Sequence, residues 1–513
     1  MALLPTPTTL LSRRRLLALT GAVAAGTGVA ACGLRSGSDG VAGTGVGRDA
    51  VRAAEAARPS SGTVRALSLR ARPVEVDLGG RVVPTWAYGD TVPGAPLRCT
   101  AGDRVRVNFA NDLPVATSVH WHGLAIRNDM DGVPGVTTPE TPAGGTFDFD
   151  FVVPDPGTHW LHPHHGLQLD RGLYAPFVVD DPAEPGAYDA EWLVVLDDWT
   201  DGVGPSPEQI LADLRAGSGG GMGMGGMGMD GMGGMAGSGS EGMHGGGMHG
   251  GAGDVDYPLY LVNGRVPADP DVLSARPGDR VRLRVVNASA DTVFVVALDR
   301  HRLTVTHSDG YPVAPQAADA VVVGMGERYD AVVTLSDGAF VLAAEPVGKF
   351  GSARALVRTG SGAVPPESYR PAELDGDVLS ADRLRAADGA ALEPREPDSV
   401  QDVVLSGGMR DYVWTINGRT YAETVPLTVE SGQAARLRIR NMSMMPHPLH
   451  VHGHTFQLGP AGGRGPRKDT VLVPAMGGID VDLVADNPGR WMVHCHNGYH
   501  VEVGMMTRLD YVA

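Results

Sequence analysis

One pattern of apolar and polar positions occurs three times along the chain: "AGDRVRVNFAN" (101–111), "RPGDRVRLRVVN" (276–287) and "ESGQAARLRIRN" (430–441). In each copy apolar residues alternate with arginine behind a glycine turn, which predicts a half-buried β-strand. Each copy also has a glycine and, nine positions later, an asparagine: Gly102/Asn111, Gly278/Asn287 and Gly432/Asn441. The copies recur at intervals of 176 and 154 residues, far longer than a solenoid repeat, so they mark domains. The 72 glycines and 38 prolines exceed average usage and favour a turn-rich, all-β protein over a helical one.

Counting forward from each asparagine exposes a second pattern. Nine residues on lie His120, Val296 and His450; two further on lie His122, Leu298 and His452. Later, glycines Gly157, Gly338 and Gly489 precede, by five and seven residues, His162/His164, Ala343/Glu345 and His494/His496. The first and third copies therefore carry His-x-His twice each, and the middle copy keeps the frame without the histidines. Residues i and i+2 of a strand share a face, so each His-x-His presents two imidazoles side by side. Eight such nitrogens, from two copies meeting face to face, predict a metal cluster.

A further set, His447, Cys495, His500 and Met505, offers two imidazoles, one thiolate and a weak thioether. That combination describes a blue-copper electron-transfer site; zinc rarely recruits methionine, and iron–sulfur clusters need more cysteines than the three present. Cys495 stands between His494 and His496, so its sulfur can face one metal while its neighbours face others. The backbone on either side then joins two sites. Cys99 is expected to serve packing.

The segments "HWHG" (120–123), "HPH" (162–164), "HPLHVHG" (447–453) and "HCHNGYHVEVGM" (494–505) resemble the four signatures of three-domain multicopper oxidases. The resemblance implies three cupredoxin-like Greek-key β-barrels at 61–183, 184–365 and 366–513. It implies four copper ions: type 1 on His447, Cys495, His500 and Met505; type 2 on His120 and His450; and a type 3 pair on His122, His162, His164, His452, His494 and His496. It also implies one-electron oxidation of a reducing substrate coupled to four-electron reduction of dioxygen to water. That reduction consumes protons, so an acid near the cluster is expected. Asp131 sits where the family commonly keeps one, and Glu502 is a second candidate. His454 exceeds the family's ligand count and is expected to support rather than bind metal; His159 is expected at the surface or in a hydrogen bond.

Charge and the termini narrow the setting. A net charge of -17 argues against nucleic acid or anionic membrane as partners. Residues 12–17, "SRRRLL", form a twin-arginine pattern before a short apolar run. The run ends in Val29-Ala30-Ala31-Cys32, which resembles a lipobox; cleavage there leaves a lipid-bearing Cys32, and ordinary cleavage nearby leaves a free secreted protein. Residues 1–32 are thus expected to direct export to the outer face of the cytoplasmic membrane or beyond, and 33–60 to form a flexible tether. A glycine- and methionine-rich insertion, 216–253, holds eight of the 19 methionines. Thioethers select Cu(I), and methionine-rich segments resemble the copper-tolerance branch of the family. Met444 and Met445 next to His447 are a candidate docking point, although Ser443 stands where that branch has an acidic residue. Cu(I) is the expected substrate, a phenolic or other organic reductant the alternative, and a non-catalytic cupredoxin scaffold a remote third reading.

Overall fold

The computed structural model describes residues 47–217 and 253–512, apart from 185 and 461. The twin-arginine segment, Cys32 and residues 218–252 of the methionine-rich insertion lie outside the described residues. Among the described residues, strands assemble into six sheets, two for each of three successive barrels. The predicted repeat strands Arg104–Asn111, Arg280–Asn287 and Ala434–Asn441 occupy one position in all three. Each lies between a parallel partner (Val64–Asp77, Ala190–Trp199, Ser399–Gly408) and an antiparallel one (Thr146–Val152, Arg328–Thr334, Gly478–Val484).

The repeated asparagine has a physical reason. Asn111, Asn287 and Asn441 are buried at the strand ends, where an unpaired amide would be costly. Each side-chain oxygen accepts the backbone N–H two residues on, at 2.9–3.0 Å. Each Nδ2 donates to one carbonyl of the following loop (Val115, Thr292, Met445) and to one from a more distant segment (Thr141, Val323, Val473). The staple fixes the loop that leads into the next inward strand, which is where the histidines begin. Gly102, Gly278 and Gly432 open the repeat with φ between 84° and 90°, a conformation that favours glycine.

The second sheet of the first barrel holds His120–His122 and Gly157–His162; that of the third holds His447–Val451 and Arg490–Cys495. In the middle barrel Phe294–Leu298 and Ala339–Pro346 take the same places with apolar side chains. One buried hydrophobic cluster runs through the middle and last barrels, and Trp160, Tyr174, Val195, Trp199 and Leu261 pack the seam between the first two.

Two boundaries differ from expectation. The tether expected over 33–60 contains a helix, Arg48–Ala57. Its alanine-rich sequence favours helix over the glycine-serine composition that precedes it. Glu55 is buried and accepts the N–H of Val152 at 2.8 Å, and Arg58 donates to Asn487 at 3.0 Å, so this segment is docked on the first and last barrels. The middle barrel continues past 365: Val378–Leu379 pairs in parallel with Ala320–Val323.

Candidate metal centre

The eight His-x-His imidazoles converge where the first and third barrels meet. His120 pairs across its sheet with His162, and His450 with His494. The rings of His120 and His452 stack at 3.8 Å, and those of His122 and His450 at 3.9 Å. Ligand nitrogens fall into trios: His122, His162 and His496; His164, His452 and His494; and His120, His450 and His452; within each trio these atoms lie within 4.8 Å of one another.

Hydrogen bonds fix which nitrogen of each ring is free. A carbonyl can only accept, so Nδ1 carries the proton in His120 (to Asp131 O, 2.9 Å), His162 (to Pro163 O, 3.1 Å), His450 (to Asp469 O, 2.9 Å) and His494 (to Cys495 O, 2.8 Å). His452 donates Nδ1–H to the Asp131 carboxylate at 3.1 Å. His122 is turned the other way and gives Nε2–H to Asp469 Oδ1 at 3.2 Å. The Nε2 atoms of His120, His162, His164 and His450, Nδ1 of His122 and both nitrogens of His496 are buried without a hydrogen-bond partner. His452 Nε2 and His494 Nε2 face each other at 3.0 Å, two lone pairs with no proton between them. Burial holds His122, His162, His164, His450, His452, His494 and His496 below the usual histidine range, neighbouring rings adding to the effect at most of them. Neutral imidazoles with converging, unpartnered lone pairs fit metal ions and little else.

The second site lies on the other side of Cys495. Its sulfur is 3.6 Å from Nδ1 of both His447 and His500, and those two nitrogens are 3.2 Å apart. His447 gives Nε2–H to Ser443 Oγ at 2.7 Å, and His500 gives Nε2–H to Asp254 Oδ2 at 2.8 Å, so both rings turn Nδ1 inward. Burial alone would lower His500, but Asp254 and Cys495 together push it up to about 10. The strand ends at Cys495, and Asn497 caps the one-turn helix Gly498–Glu502 by accepting from Tyr499 N and His500 N. That turn brings His500 back beside the sulfur. Met505 is fully buried, its carbonyl accepting Cys495 N–H at 3.1 Å. Trp414 covers both imidazoles, with ring centroids 5.1 Å from His447 and 4.1 Å from His500.

The structure sorts the remaining candidates. Asp131 is buried between His120 and His452. Glu502, on the turn that carries His500, lies near Arg215, His165 and Glu208 and, among the described residues, makes no hydrogen bond to a cluster histidine. Met444 is exposed, but Met445 belongs to the buried core. His454 donates Nδ1–H to His452 O and accepts from Tyr511 Oη, a supporting role. His159, expected at the surface or hydrogen-bonded, is fully buried with neither ring nitrogen partnered; strand alternation turns it away from the cluster, and burial pushes it down to about 3. Cys99 packs in the first barrel's core. The sequence reading missed Asp254 and Asp469, which meet His500 and His122 across 246 and 347 residues, and gave Ser443 no role. An aspartate directly after the glycine-rich tract was the available signal for Asp254.

Two cupredoxin-type barrels clasping a cluster of histidines, with a cysteine–histidine site one residue away, define a copper oxidase. The chain belongs to the multicopper oxidase family, whose sequence patterns match residues 71–184, 190–363 and 393–512. As a member it is a copper-dependent oxidoreductase that uses dioxygen. It is 48% identical to multicopper oxidase MmcO of Mycobacterium tuberculosis over 96% of this chain and 95% of that protein. It is 27% identical to copper resistance protein A of Escherichia coli over 81% of this chain and 87% of the relative. Among solved structures, Fet3p, a multicopper oxidase that functions in iron import, superposes with a TM-score of 0.73 at 19% identity, covering 87% of this chain and 90% of that one. A laccase from Botrytis aclada superposes at 0.71 and 23%, with 89% of each chain covered. At these identities the two structures support the fold.

Proposed function

We propose that this chain is a cuprous oxidase of copper tolerance, oxidising Cu(I) and reducing dioxygen to water. His447, Cys495, His500 and Met505 would hold a type 1 copper. His120 and His450 would hold type 2, and His122, His162 and His496 with His164, His452 and His494 the type 3 pair, making four ions. Bound copper supplies one-electron redox chemistry at the first site and four-electron reduction of dioxygen at the second. The chain contributes the rest. His494, Cys495 and His496 link the sites covalently, and Asp131, touching both barrels' histidines, is the carboxylate we assign to delivering protons.

The observation that carries the cuprous reading is the methionine surface beside His447. Met442, Met444 and Met476 are each more than half exposed. Their loops are stitched together by Met476 N–H donating to Ser443 O at 3.0 Å and Asn441 N–H to Gly477 O at 2.8 Å. Ser443 in turn holds His447. Soft thioethers at the rim of an electron-accepting site suit a cuprous ion better than a phenol. The ends of the methionine-rich insertion support the same reading. Arg215 at its start lies near Glu502, and Asp254, just after its end, holds His500. The relatives named for copper resistance agree, and the twin-arginine segment supports an extracytoplasmic location, with Cys32 as a lipid-bearing residue.

Oxygen uptake with Cu(I) and with a phenol tests the proposal. Replacing Met442, Met444 and Met476 together by leucine should lower Cu(I) turnover about tenfold or more and leave phenol turnover within about twofold. Equal retention of both activities, or a parallel fall in both, would count against the methionine surface as a cuprous docking point.

A further inference from the structure

We propose that the middle barrel, which supplies no histidine, takes part in the cluster through Arg328, a positioning residue that fixes Asp469 and through it His122 and His450. The inference rests on reading the eight histidines as a copper cluster.

Arg328 is fully buried in the strand Arg328–Thr334. Its guanidinium forks onto Asp469, Nη1 to Oδ1 at 2.7 Å and Nη2 to Oδ2 at 2.6 Å. Two further donors go to backbone carbonyls, Nε to Thr158 at 3.1 Å, in the first barrel, and Nη1 to Gly326 at 3.1 Å, and Nη1 lies 3.5 Å from Asp309 Oδ1. Asp469, held by both oxygens, is left with one orientation. In it Oδ1 meets His122 Nε2 at 3.2 Å, and its carbonyl meets His450 Nδ1 at 2.9 Å. One arginine of the middle barrel thereby sets a carboxylate of the third, whose Oδ1 faces one imidazole from the first barrel and, at 3.4 Å from His450 Nδ1, one from the third.

The neighbouring backbone is shaped for this arrangement. A β-carbon on Gly123, the glycine of "HWHG", would lie 2.3 Å from Arg328 Nη2 and 2.9 Å from Asp469 Oδ2. One on Gly326 would lie 2.8 Å from the His496 ring and 3.0 Å from that of His122. Asp309, also of the middle barrel, accepts the backbone N–H groups of Arg328, Asp469 and Thr470 at 2.9–3.2 Å.

The cluster has a second bridging carboxylate. Asp131 repeats the geometry of Asp469, with its carbonyl on His120 at 2.9 Å and its carboxylate on His452 at 3.1 Å. Among the described residues no guanidinium reaches it; its other side-chain partner there is Thr137 Oγ1, at 3.5 Å. The arginine clamp is thus confined to one of two similar halves, the half against the middle barrel. A planar fork holds a carboxylate in a way that a single ammonium cannot.

The test compares copper-loaded unmodified protein with Arg328→Met and Arg328→Lys. It reads copper per chain, the blue type 1 absorption, the type 2 electron paramagnetic resonance signal and the rate of copper loss to a chelator. Arg328→Met should keep the blue absorption, alter the type 2 signal and lose cluster copper about 10- to 100-fold faster, the range found when partners of metal-binding histidines are removed. Arg328→Lys should fall between, and it carries the test alone if the methionine variant does not fold. An unaltered type 2 signal with unchanged copper release in the variant that folds overturns the inference. So does proportional loss of type 1 and cluster copper, which marks a general structural role. Unmodified protein that takes up no copper at the histidines overturns the underlying reading instead.

Discussion

Asp254 accepts hydrogen bonds from His500 Nε2 and from Tyr412 Oη, both at 2.8 Å, and is itself nearly buried. An anion so close to a redox site favours its more positive state. Asp254→Asn should therefore raise the type 1 potential in a spectroelectrochemical titration. The loss of a charged acceptor should also lower folding stability by about 1.5–3 kcal/mol in denaturant unfolding. A potential that falls or stays fixed would contradict this account of the residue. Eight of the twelve proposed copper ligands were legible in the sequence because a strand forces i and i+2 onto one face; His447, Cys495, His500 and Met505 were legible from their donor types and from the family resemblance. Asp254, Asp469 and Arg328 were not. Each acts across a barrel boundary, and His122 and Asp469 are 347 residues apart. Apart from the place of Asp254 directly after the glycine-rich tract, no local pattern distinguishes such residues from surface charges.

Among the elements, the strands Arg280–Asn287 and Arg328–Thr334 carry a buried charge network against the first barrel. Arg282 and Arg284 both pair with Asp330, at 2.6 and 3.1 Å, and Thr158 of the first barrel donates to it at 2.7 Å. Burial would raise the Asp330 carboxyl, but the two arginines outweigh it and hold it well below the usual range. An acid depressed in the fold stabilises it above the unfolded value of about 3.9 and loses that contribution as pH falls toward the folded value. Acid should therefore loosen this seam below about pH 4. Asp330→Asn should cost about 1.5–3 kcal/mol at neutral pH, because it removes the charged acceptor that Arg282 and Arg284 share and leaves them Glu184 and Glu191, and should flatten the acid limb of stability. Urea unfolding at several pH values checks both. A variant as acid-sensitive as the parent would remove Asp330 from this role. The repeat predicted these strands as half-buried, since alternation with arginine is visible in the letters; Arg282 and Arg284 are in fact buried as well, and Arg284 donates to Thr158 of the first barrel. The helix Arg48–Ala57 escaped for a related reason: composition was averaged over 33–60, which hid a short alanine-rich segment.

For the whole molecule, the cluster draws its histidines from residues 120–164 and 450–496, so metal bound there ties the first barrel to the last. Any ligand that binds only the assembled state stabilises it, by about 4 kcal/mol at a thousandfold excess over its dissociation constant. Chelated protein should accordingly melt at a lower temperature than copper-loaded protein in calorimetry, with the loss centred on the contact between the outer barrels. Identical melting would mean that the barrels are held by their own packing alone. Three domains were readable from the repeat. The meeting of the outer two at the histidines was readable as well; the contacts of the middle barrel with them were not, because they depend on surfaces that the repeat shares in backbone but not in side chains. The turn at Gly326 adds a constraint on how the protein can vary. With the His122 and His496 rings within 3 Å of where a side chain would begin, a central module grafted from another oxidase must arrive with a bare backbone at that point. Chimeras built by exchanging modules will assemble or fail on that single position before their substrate surfaces are ever compared.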